Sequence, residues 1–477
     1  MSKIFFRADG NTEIGLGHII RCCAIADILR NDFECTFFAR QPSEYLKQEI
    51  SKAGARLIEM PLYNSFEAEA IDWAGTLTGT EVIVLDGYHF ETIYQKYIKE
   101  RGCRLVCIDD IHAYPFVSDI VINHAGGTKI ENYNSEFYTQ HYLGFKYSLL
   151  RKAFMVQRTK KATKNALLIC LGGSDPQNDT LQVWQKSIGL GFSVIHILVG
   201  NGYTFRPILE ASVCKCNVET FIHQNLSAEE VAELMQECSY SVLSPSSIAL
   251  EYMNFNGIVF LHQIADNQTH LKKYLIDSGL AKDFEEFRLL SNSEESAMIN
   301  NQNQLFDHKS PQRILQIFKS LVFTAGIKLE RASVDDLQLT YLWANDPVAR
   351  NMSYNNNPIF EEEHRSWFLS RLKNSSCFYY ILKSGNKPFA QIRFEENVDH
   401  YVLSYFIDKT YRGNGLASFI LSEGIRKLKQ DLGGISGKTI GYVKVENTSS
   451  CRGFEKMNFQ KEISSNFINS FKYTLHF

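Results

Sequence analysis

From Lys3 to about Leu150, short apolar runs alternate with stretches whose apolar positions recur at helical spacing. The runs Lys3–Ala8, Cys35–Ala39, Val82–Asp86, Leu105–Asp109 and Ile120–Asn123 predict strands, and stretches such as Ile93–Lys99 predict helices between them. The polar, basic run Gln157–Asn165 reads as a linker. A second series follows, with strands predicted at Ala166–Leu171, Val194–Val199, Val218–Ile222, Ser241–Leu243 and Ile258–Leu261 and helical segments near Ile314–Val322. Strands alternating with helices predict parallel sheets with helices on both faces, so the fold class is α/β with two doubly wound, Rossmann-like domains. Near Ile327 the pattern changes: helices are predicted at Val334–Asn345 and Phe360–Leu372, then strands at Phe378–Leu382, Ala390–Phe394 and Tyr401–Ile407. The predicted domains are 1–156, 157–324 and 325–477.

A length of 477 residues agrees with three units, at a prior of about 150 residues per domain. With 44% hydrophobic and 22% charged residues the chain reads as a globular protein, and a net charge of −3 offers no basic field for nucleic acid or an anionic membrane surface. The eleven cysteines are scattered without zinc-site spacing, so no metal site is expected and reduced thiols in a cytoplasmic protein are. No signal-peptide pattern opens the chain and no segment approaches the ~20 apolar residues of a membrane helix, so no stable membrane association is expected.

The first strand runs into Asp9 and a loop with Gly15 and Gly17, and His18 opens a helix predicted to reach Arg30, with Ile19, Ile20, Cys23, Ala26 and Ile28 on its buried side. Glycines let such a loop turn through positive φ or approach a ligand closely. An imidazole there, with an ordinary pKa near 6.5, suits a general base; a packing or capping histidine fits the same residue types. In the second series, Gly172-Gly173-Ser174-Asp175-Pro176 leaves a strand before a helix, and Ser244-Pro245-Ser246-Ser247 does the same. Amides at such helix starts suit phosphate oxygens. Glu251, one turn into the second helix, suits ribose hydroxyls, and Asp266-Asn267-Gln268 opens a further helix with amides for a sugar. Taken singly, each of these is also an ordinary turn, cap or solvated carboxylate.

Together, Arg7-Ala-Asp9, Ile14-Gly-Leu-Gly-His18-Ile-Ile-Arg21, Asp86-Gly-Tyr88, Gly172 to Pro176, Ser246 to Glu251 and Asp266 to Gln268 carry a resemblance. The first 320 or so residues resemble the UDP-2,4-diacetamido-2,4,6-trideoxy-β-L-altropyranose hydrolase family of pseudaminic acid biosynthesis, a relative of the GT-B glycosyltransferase that builds lipid II. The resemblance implies a GT-B arrangement of the two α/β domains and metal-independent attack of water at the anomeric carbon, with inversion and loss of UDP. It makes His18 the general base, with Tyr88 and Asn267 orienting sugar and water. Uracil is then read by backbone near Ile222, ribose by Glu251, and pyrophosphate by Gly173, Ser246, Ser247 and Gln268. Asp9, Gly15, Gly17, Arg21 and Ser174 complete the implied substrate site.

The third unit carries Tyr411-Arg412-Gly413-Asn414-Gly415-Leu416-Ala417 between a strand ending near Ile407 and an amphipathic helix to about Gln430, a turn that offers amides and an arginine to a pyrophosphate. With Trp343-Ala-Asn345, Arg350, His364 to Phe368, Asn447 and Phe454 to Phe459, residues from about Ile327 to the end resemble the GNAT N-acetyltransferases, whose domain is a mixed-sheet α/β fold. That implies acetyl-CoA as co-substrate, bound by Ile407, Arg412, Gly413, Asn414, Gly415, Leu416, Ala417 and Asn447. Glu395, Glu396 and Asp399 are candidate bases for the amine. The tyrosine that commonly protonates the leaving thiolate in that family falls at Phe454. The joint expectation is a bifunctional enzyme taking a UDP-amino sugar and acetyl-CoA. Two alternatives are sugar transfer to another acceptor, and a hydrolase whose last domain binds acetyl-CoA without catalysis.

Overall fold

The computed structural model describes residues 2–10, 16–155, 163–173, 175–413 and 415–477, without the side chains of Thr163, Lys164 and Asn267. The chain divides into two compact units, Met1–Asn134 with His141–Phe318 and Ser135–Gln140 with Lys319–Phe477.

The first unit is built on two sheets. The strands of the first are, in chain order, Lys3–Ala8 (β1), Glu34–Ala39 (β2), Arg56–Glu59 (β3), Val82–Asp86 (β4), Arg104–Ile108 (β5), Ile120–Asn123 (β6) and Gln140–Leu143 (β7), set side by side as 3-2-1-4-5-6-7. Strands 1 to 6 pair in parallel. The order reverses between β1 and β4, which run side by side with Ala8 opposite Asp86. The second sheet repeats the plan: Thr163–Cys170 (β8), Val194–Val199 (β9), Glu219–Gln224 (β10), Cys238–Leu243 (β11), Ile258–Leu261 (β12) and Lys282–Asp283 (β13) lie in the order 10-9-8-11-12-13, also parallel, with the reversal between β8 and β11. Central strands such as Val82–Asp86 are buried along their whole length, as helices on both faces require.

Several expectations change here. The helix Gly17–Leu29 buries Ile19, Cys22, Cys23, Ile25, Ala26 and Leu29, whereas Ile20 and Ile28 are only half-buried. It is apolar around most of its circumference, so a single stripe read from the sequence rotates the buried face. Thr163–Asn165, expected in a linker, begin β8, and residues 156–162 lie outside the described residues. Strands β3, β7 and β13 have no counterpart among the predicted runs; all three are short, and β3 and β7 close the two edges of their sheet. Phe145, Leu150 and Phe154, which follow the first sheet in the chain, pack into the core of the second. The loop after β6 approaches the second domain closely: Cβ atoms built at Gly126 and Gly127 would lie 2.0 and 2.8 Å from the Tyr274 ring. Only glycine leaves room there for that ring, which belongs to the helix Thr269–Asp277 just after Gln268.

The second unit holds Ile327–Arg331 (β14), Cys377–Ser384 (β15), Lys387–Asn397 (β16), His400–Ile407 (β17), Lys438–Lys444 (β18), Gln460–Ile463 (β19) and Ser470–His476 (β20), in the order 14-15-16-17-18-20-19. The sheet is mixed: β14 to β17 are antiparallel neighbours, and β17 and β18 are parallel for only three residue pairs, ending at Leu403 opposite Gly441. Beyond that pair β17 stays with β16 and β18 with β20, so the two strands part. The segment expected as one helix at Val334–Asn345 is a 3₁₀ turn, Val334–Asp336, followed by the helix Leu337–Ala344.

Candidate active site

In open α/β sheets a ligand crevice lies beyond the carboxyl ends of the strands where strand order reverses. In the first sheet the two strands at that point are β1 and β4, and the side chains there converge. His18, second residue of the helix after β1, places Nδ1 2.6 Å from Oδ1 of Asp86, the last residue of β4. Arg21, one turn on, donates from Nε and Nη2 to Asp86 at 3.0 and 2.7 Å and from Nη1 to Asp110 at 2.7 Å. Nδ1 also lies 2.9 Å from Nη2 of Arg21, which only donates, while Asp86 only accepts; the shorter Asp86 contact favours the tautomer with its proton on Nδ1 and the lone pair on Nε2. The ring is 6% exposed, yet it is buried against ionic groups and the edge of Tyr88, whose ring centroid is 4.9 Å away. Tyr88 itself is exposed, and desolvation of its hydroxyl with the nearby Asp110 charge pushes its pKa up to about 12, so it is a phenol at neutral pH.

Electrostatics separate the two aspartates after β5. Burial pushes Asp110 up, but the Arg21 charge and hydrogen bond together with the nearby histidines outweigh it and hold the carboxyl below its ordinary range; Asp109, without such a partner, is raised by burial. His124, just past β6, is held neutral: burial first, then the Arg21 charge, lowers its pKa to about 4. The unfolded chain binds that proton near pH 6.5 and the folded one does not, so the site costs stability as pH falls. Stability should be full above pH 6.5 and decline by about 3 kcal/mol toward pH 4. Denaturant titrations at pH 7 and pH 5 read this, and His124→Asn should reduce the difference, leaving the part due to His89, whose pKa burial lowers to about 3.

Asp9, at the end of β1, is fully engaged. Arg7 donates to both of its oxygens at 2.6 and 2.8 Å, and Arg40 adds its backbone N–H, Nε and Nη2. Burial would raise the Asp9 carboxyl, but these donors lower it to about 2. Arg7 also holds Glu69, at 2.7 and 3.1 Å, so the cluster braces β1 from beneath the crevice. Gly17 lies in helical conformation with open space where a Cβ would be, so the positive-φ reason does not apply to it. Gly15 lies outside the described residues.

The second sheet presents its loops in the same way. Gly172 and Gly173 follow β8, and Gly173 accepts a backbone hydrogen bond from Gly202 at 3.0 Å. Asp175 caps the next helix, accepting from the N–H of Asp179 and Thr180 at 2.9 and 2.8 Å. Ser174 lies outside the described residues. After β11, Ser244 and Ser246 hydroxyls are 3.1 Å apart, Ser247 starts the helix Ser247–Met253, and Glu251 is buried one turn inside it. Arg151 donates to both Glu251 oxygens, at 3.1 and 3.2 Å. Ile222 sits in β10, the edge strand. Asn267 lies in the 3₁₀ turn Asp266–Gln268, and the Gln268 side chain accepts from the N–H of Ile264 at 3.0 Å. The structure thus joins His18, Arg21 and Tyr88 in one cluster and sets Gly173, Ser246, Ser247 and Glu251 around the other strand-order reversal. Asp86, Asp110, His124 and Arg151 are the members without a role in the sequence reading.

In the second unit, Gly413 and Gly415 adopt φ of +82° and +70°, which makes the turn before the helix Leu416–Asp431 a glycine turn by backbone necessity. Asn414 lies outside the described residues. Leu416 and Ala417 open the helix. Arg412 is tethered, donating from Nε to the Ile407 carbonyl and from Nη2 to Asp346, both at 2.9 Å. Asn447 caps the helix Thr448–Lys456 through Ser450 N–H. Glu395, Glu396 and Asp399 lie at or near the β16–β17 turn, where Glu395 faces Val402, five residues and about 17 Å along the strand from Ile407 at its far end. Glu395 is paired with Arg371 and Arg393, Glu396 accepts from Ser376, and Asp399 is paired with Lys438 and His400. Among the described residues no group of three or more His, Cys, Asp or Glu is placed to hold a metal ion, and no helix is long and apolar enough to cross a membrane.

Residues 341–459 match the acetyltransferase (GNAT) family. Over a larger part of the chain the likeness is to a nucleotide-sugar enzyme: the UDP-2,4-diacetamido-2,4,6-trideoxy-β-L-altropyranose hydrolase of Campylobacter jejuni is 26% identical over 283 residues, 57% of this chain and 96% of its own. The uncharacterized protein MJ1062 of Methanocaldococcus jannaschii is 25% identical over 493 aligned residues, 96% of this chain and 97% of its own. Among solved structures, spermidine N-acetyltransferase of Vibrio cholerae, in complex with CoA and spermine, is 14% identical and covers 32% of this chain and 96% of its own with a TM-score of 0.29. Both resemblances read from the sequence are present in these matches, and both are to enzymes.

Proposed function

We propose that the chain is a bifunctional enzyme of amino-sugar nucleotide metabolism. Its first 320 or so residues hydrolyse UDP-2,4-diacetamido-2,4,6-trideoxy-β-L-altrose to the free sugar and UDP, and its last domain acetylates the UDP-4-amino precursor from acetyl-CoA. The observation that carries the hydrolase is the His18–Asp86 pair at the strand-order reversal of the first sheet. Asp86 fixes the tautomer and stabilises the imidazolium, so Nε2 of His18 can take a proton from water as the water oxygen bonds to C1. The C1–O bond to UDP breaks with its electron pair on the β-phosphate oxygen, and the anomeric centre inverts. In a GT-B arrangement the two strand-order reversals face one crevice, and amides around Gly173, Ser246, Ser247 and Gln268 receive the diphosphate, whose charge they stabilise as it leaves. Ile222 backbone would read uracil, and Tyr88 and Asn267 would orient sugar and water. Ribose binding at Glu251 requires its hydroxyls to share or displace Arg151. In the last domain the turn at Arg412 to Ala417 is suited to the pyrophosphate of acetyl-CoA.

The purified chain is given the UDP-diacetamido sugar alone, and separately the UDP-4-amino sugar with acetyl-CoA, while UDP and free thiol are followed. UDP release from the first without an added acceptor, undiminished by excess EDTA, and thiol release in the second are expected. UDP release only on adding a sugar acceptor would overturn the hydrolase; thiol that never forms would overturn the acetyltransferase.

A further inference from the structure

The acetyl transfer proposed above expels a thiolate, and the structure offers a specific proton source for it. Tyr405 stands on β17 two residues past Leu403, the last residue paired with β18, so its side chain leaves the strand where β17 and β18 part. Its hydroxyl is 2.8 Å from the Ser450 hydroxyl on the helix Thr448–Lys456, and 3.6 Å from where a Cβ on Gly453 would stand. That same Cβ position is 2.7 Å from Ala417, in the first turn after the glycine turn. The phenol tip therefore sits where the N-terminal halves of two helices meet, one of which opens at the Arg412–Ala417 turn. Phe454 does something different: it is 2% exposed, stacks on Tyr473 at 4.8 Å, and its ring tip fills the space over Gly441. A hydroxyl there would point into the sheet.

We propose that Tyr405, relayed by Ser450, is the acid that protonates the departing sulfur of the acetyl donor; this rests on the acetyltransferase reading. The amine lone pair forms the C–N bond to the acetyl carbon, the C–S bond breaks with its pair on sulfur, and Tyr405 Oη–H delivers its proton there. The proton shed by nitrogen passes to solvent, from which the phenolate is restored through the Ser450 hydroxyl. Burial, partly offset by the Ser450 hydrogen bond, pushes the Tyr405 phenol up to about 12, so it is protonated at neutral pH. The same burial raises the basicity of a sulfur lodged beside it. The titratable group that faces it is the Cys451 thiol of the same helix.

The test uses the full chain with the UDP-4-amino sugar and acetyl-CoA. Tyr405→Phe should lower kcat about tenfold to hundredfold with KM for acetyl-CoA within about twofold, since acid catalysis acts on the bond-breaking step. Independently of turnover, CoA should bind wild type and variant alike by calorimetry. By thiolate difference absorbance, bound CoA should ionise about one pH unit lower in wild type, where the phenol donates to the thiolate. Cys451→Ala should leave that difference in place, and Phe454→Tyr added to Tyr405→Phe should restore nothing. Unchanged kcat and unchanged ionisation of bound CoA in Tyr405→Phe would overturn the proposal and leave the acetyltransferase standing, as would rescue by Phe454→Tyr. A wild-type chain that binds no CoA, or binds it and never releases thiol, would overturn both.

Discussion

Asp86→Asn should lower UDP release about 10²–10⁴-fold and leave UDP affinity within a few-fold. The amide is nearly isosteric, so the packing of β4 is kept, but its NH₂ can face His18 and favour the wrong tautomer, with the lone pair on Nδ1 and the proton on Nε2. Arg21 loses its ionic partner at the same time and keeps Asp110. His18→Gln should bring activity to the same floor, and the double variant should fall no further, because the two groups act as one unit. Initial rates of UDP formation and calorimetric UDP binding decide the matter. A dyad with no part in the chemistry would show near-wild-type rates in Asp86→Asn, and the base would have to be sought elsewhere.

Glu69→Ala should destabilise the first sheet by about 1–3 kcal/mol, the cost of leaving buried donors of Arg7 and Tyr94 without their acceptor. Arg7 has no exposed surface, and Glu69 accepts from its Nε and Nη2 as well as from the Tyr94 hydroxyl at 2.8 Å. Without the carboxylate the guanidinium retains Asp9, the face of Phe90 with the ring centroid at 5.2 Å, and a long contact to the Phe38 carbonyl. Glu69→Gln keeps an acceptor and should cost less. Hydrogen exchange of β1 and β2 amides under increasing denaturant reads the loss where it arises, since both strands border the cluster.

What the sequence makes legible follows from how local each signal is. The strands Lys3–Ala8, Val82–Asp86, Ile120–Asn123, Val194–Val199 and Ile258–Leu261 are continuous apolar runs between polar breaks, and their observed bounds are those of the runs. Arg56–Glu59 and Gln140–Leu143 are four-residue edge strands carrying charged or polar ends, so no apolar run marks them. The closing strands β18 to β20 mix polar and aromatic residues and draw their order from pairing with one another. At the site, a strand end, a glycine loop and a histidine at a helix start are contiguous and can be read directly. The partner that orients His18 cannot: Asp86 lies 68 residues away, and the link from Arg21 to Asp110 spans 89. The same distance in chain hides the Arg151–Glu251 pair, 100 residues apart, and the Arg412–Asp346 pair, 66 apart. Residues read as free for ligand, Asp9, Glu251 and Arg412 among them, prove to have intramolecular partners that only the folded chain supplies.

Gly126 and Gly127 lie under the ring of Tyr274, so an alanine at either position has to push that ring aside. The ring belongs to the helix Thr269–Asp277, which begins directly after Gln268, so a single methyl group on the loop after β6 is felt at the Asp266–Gln268 turn far along the chain.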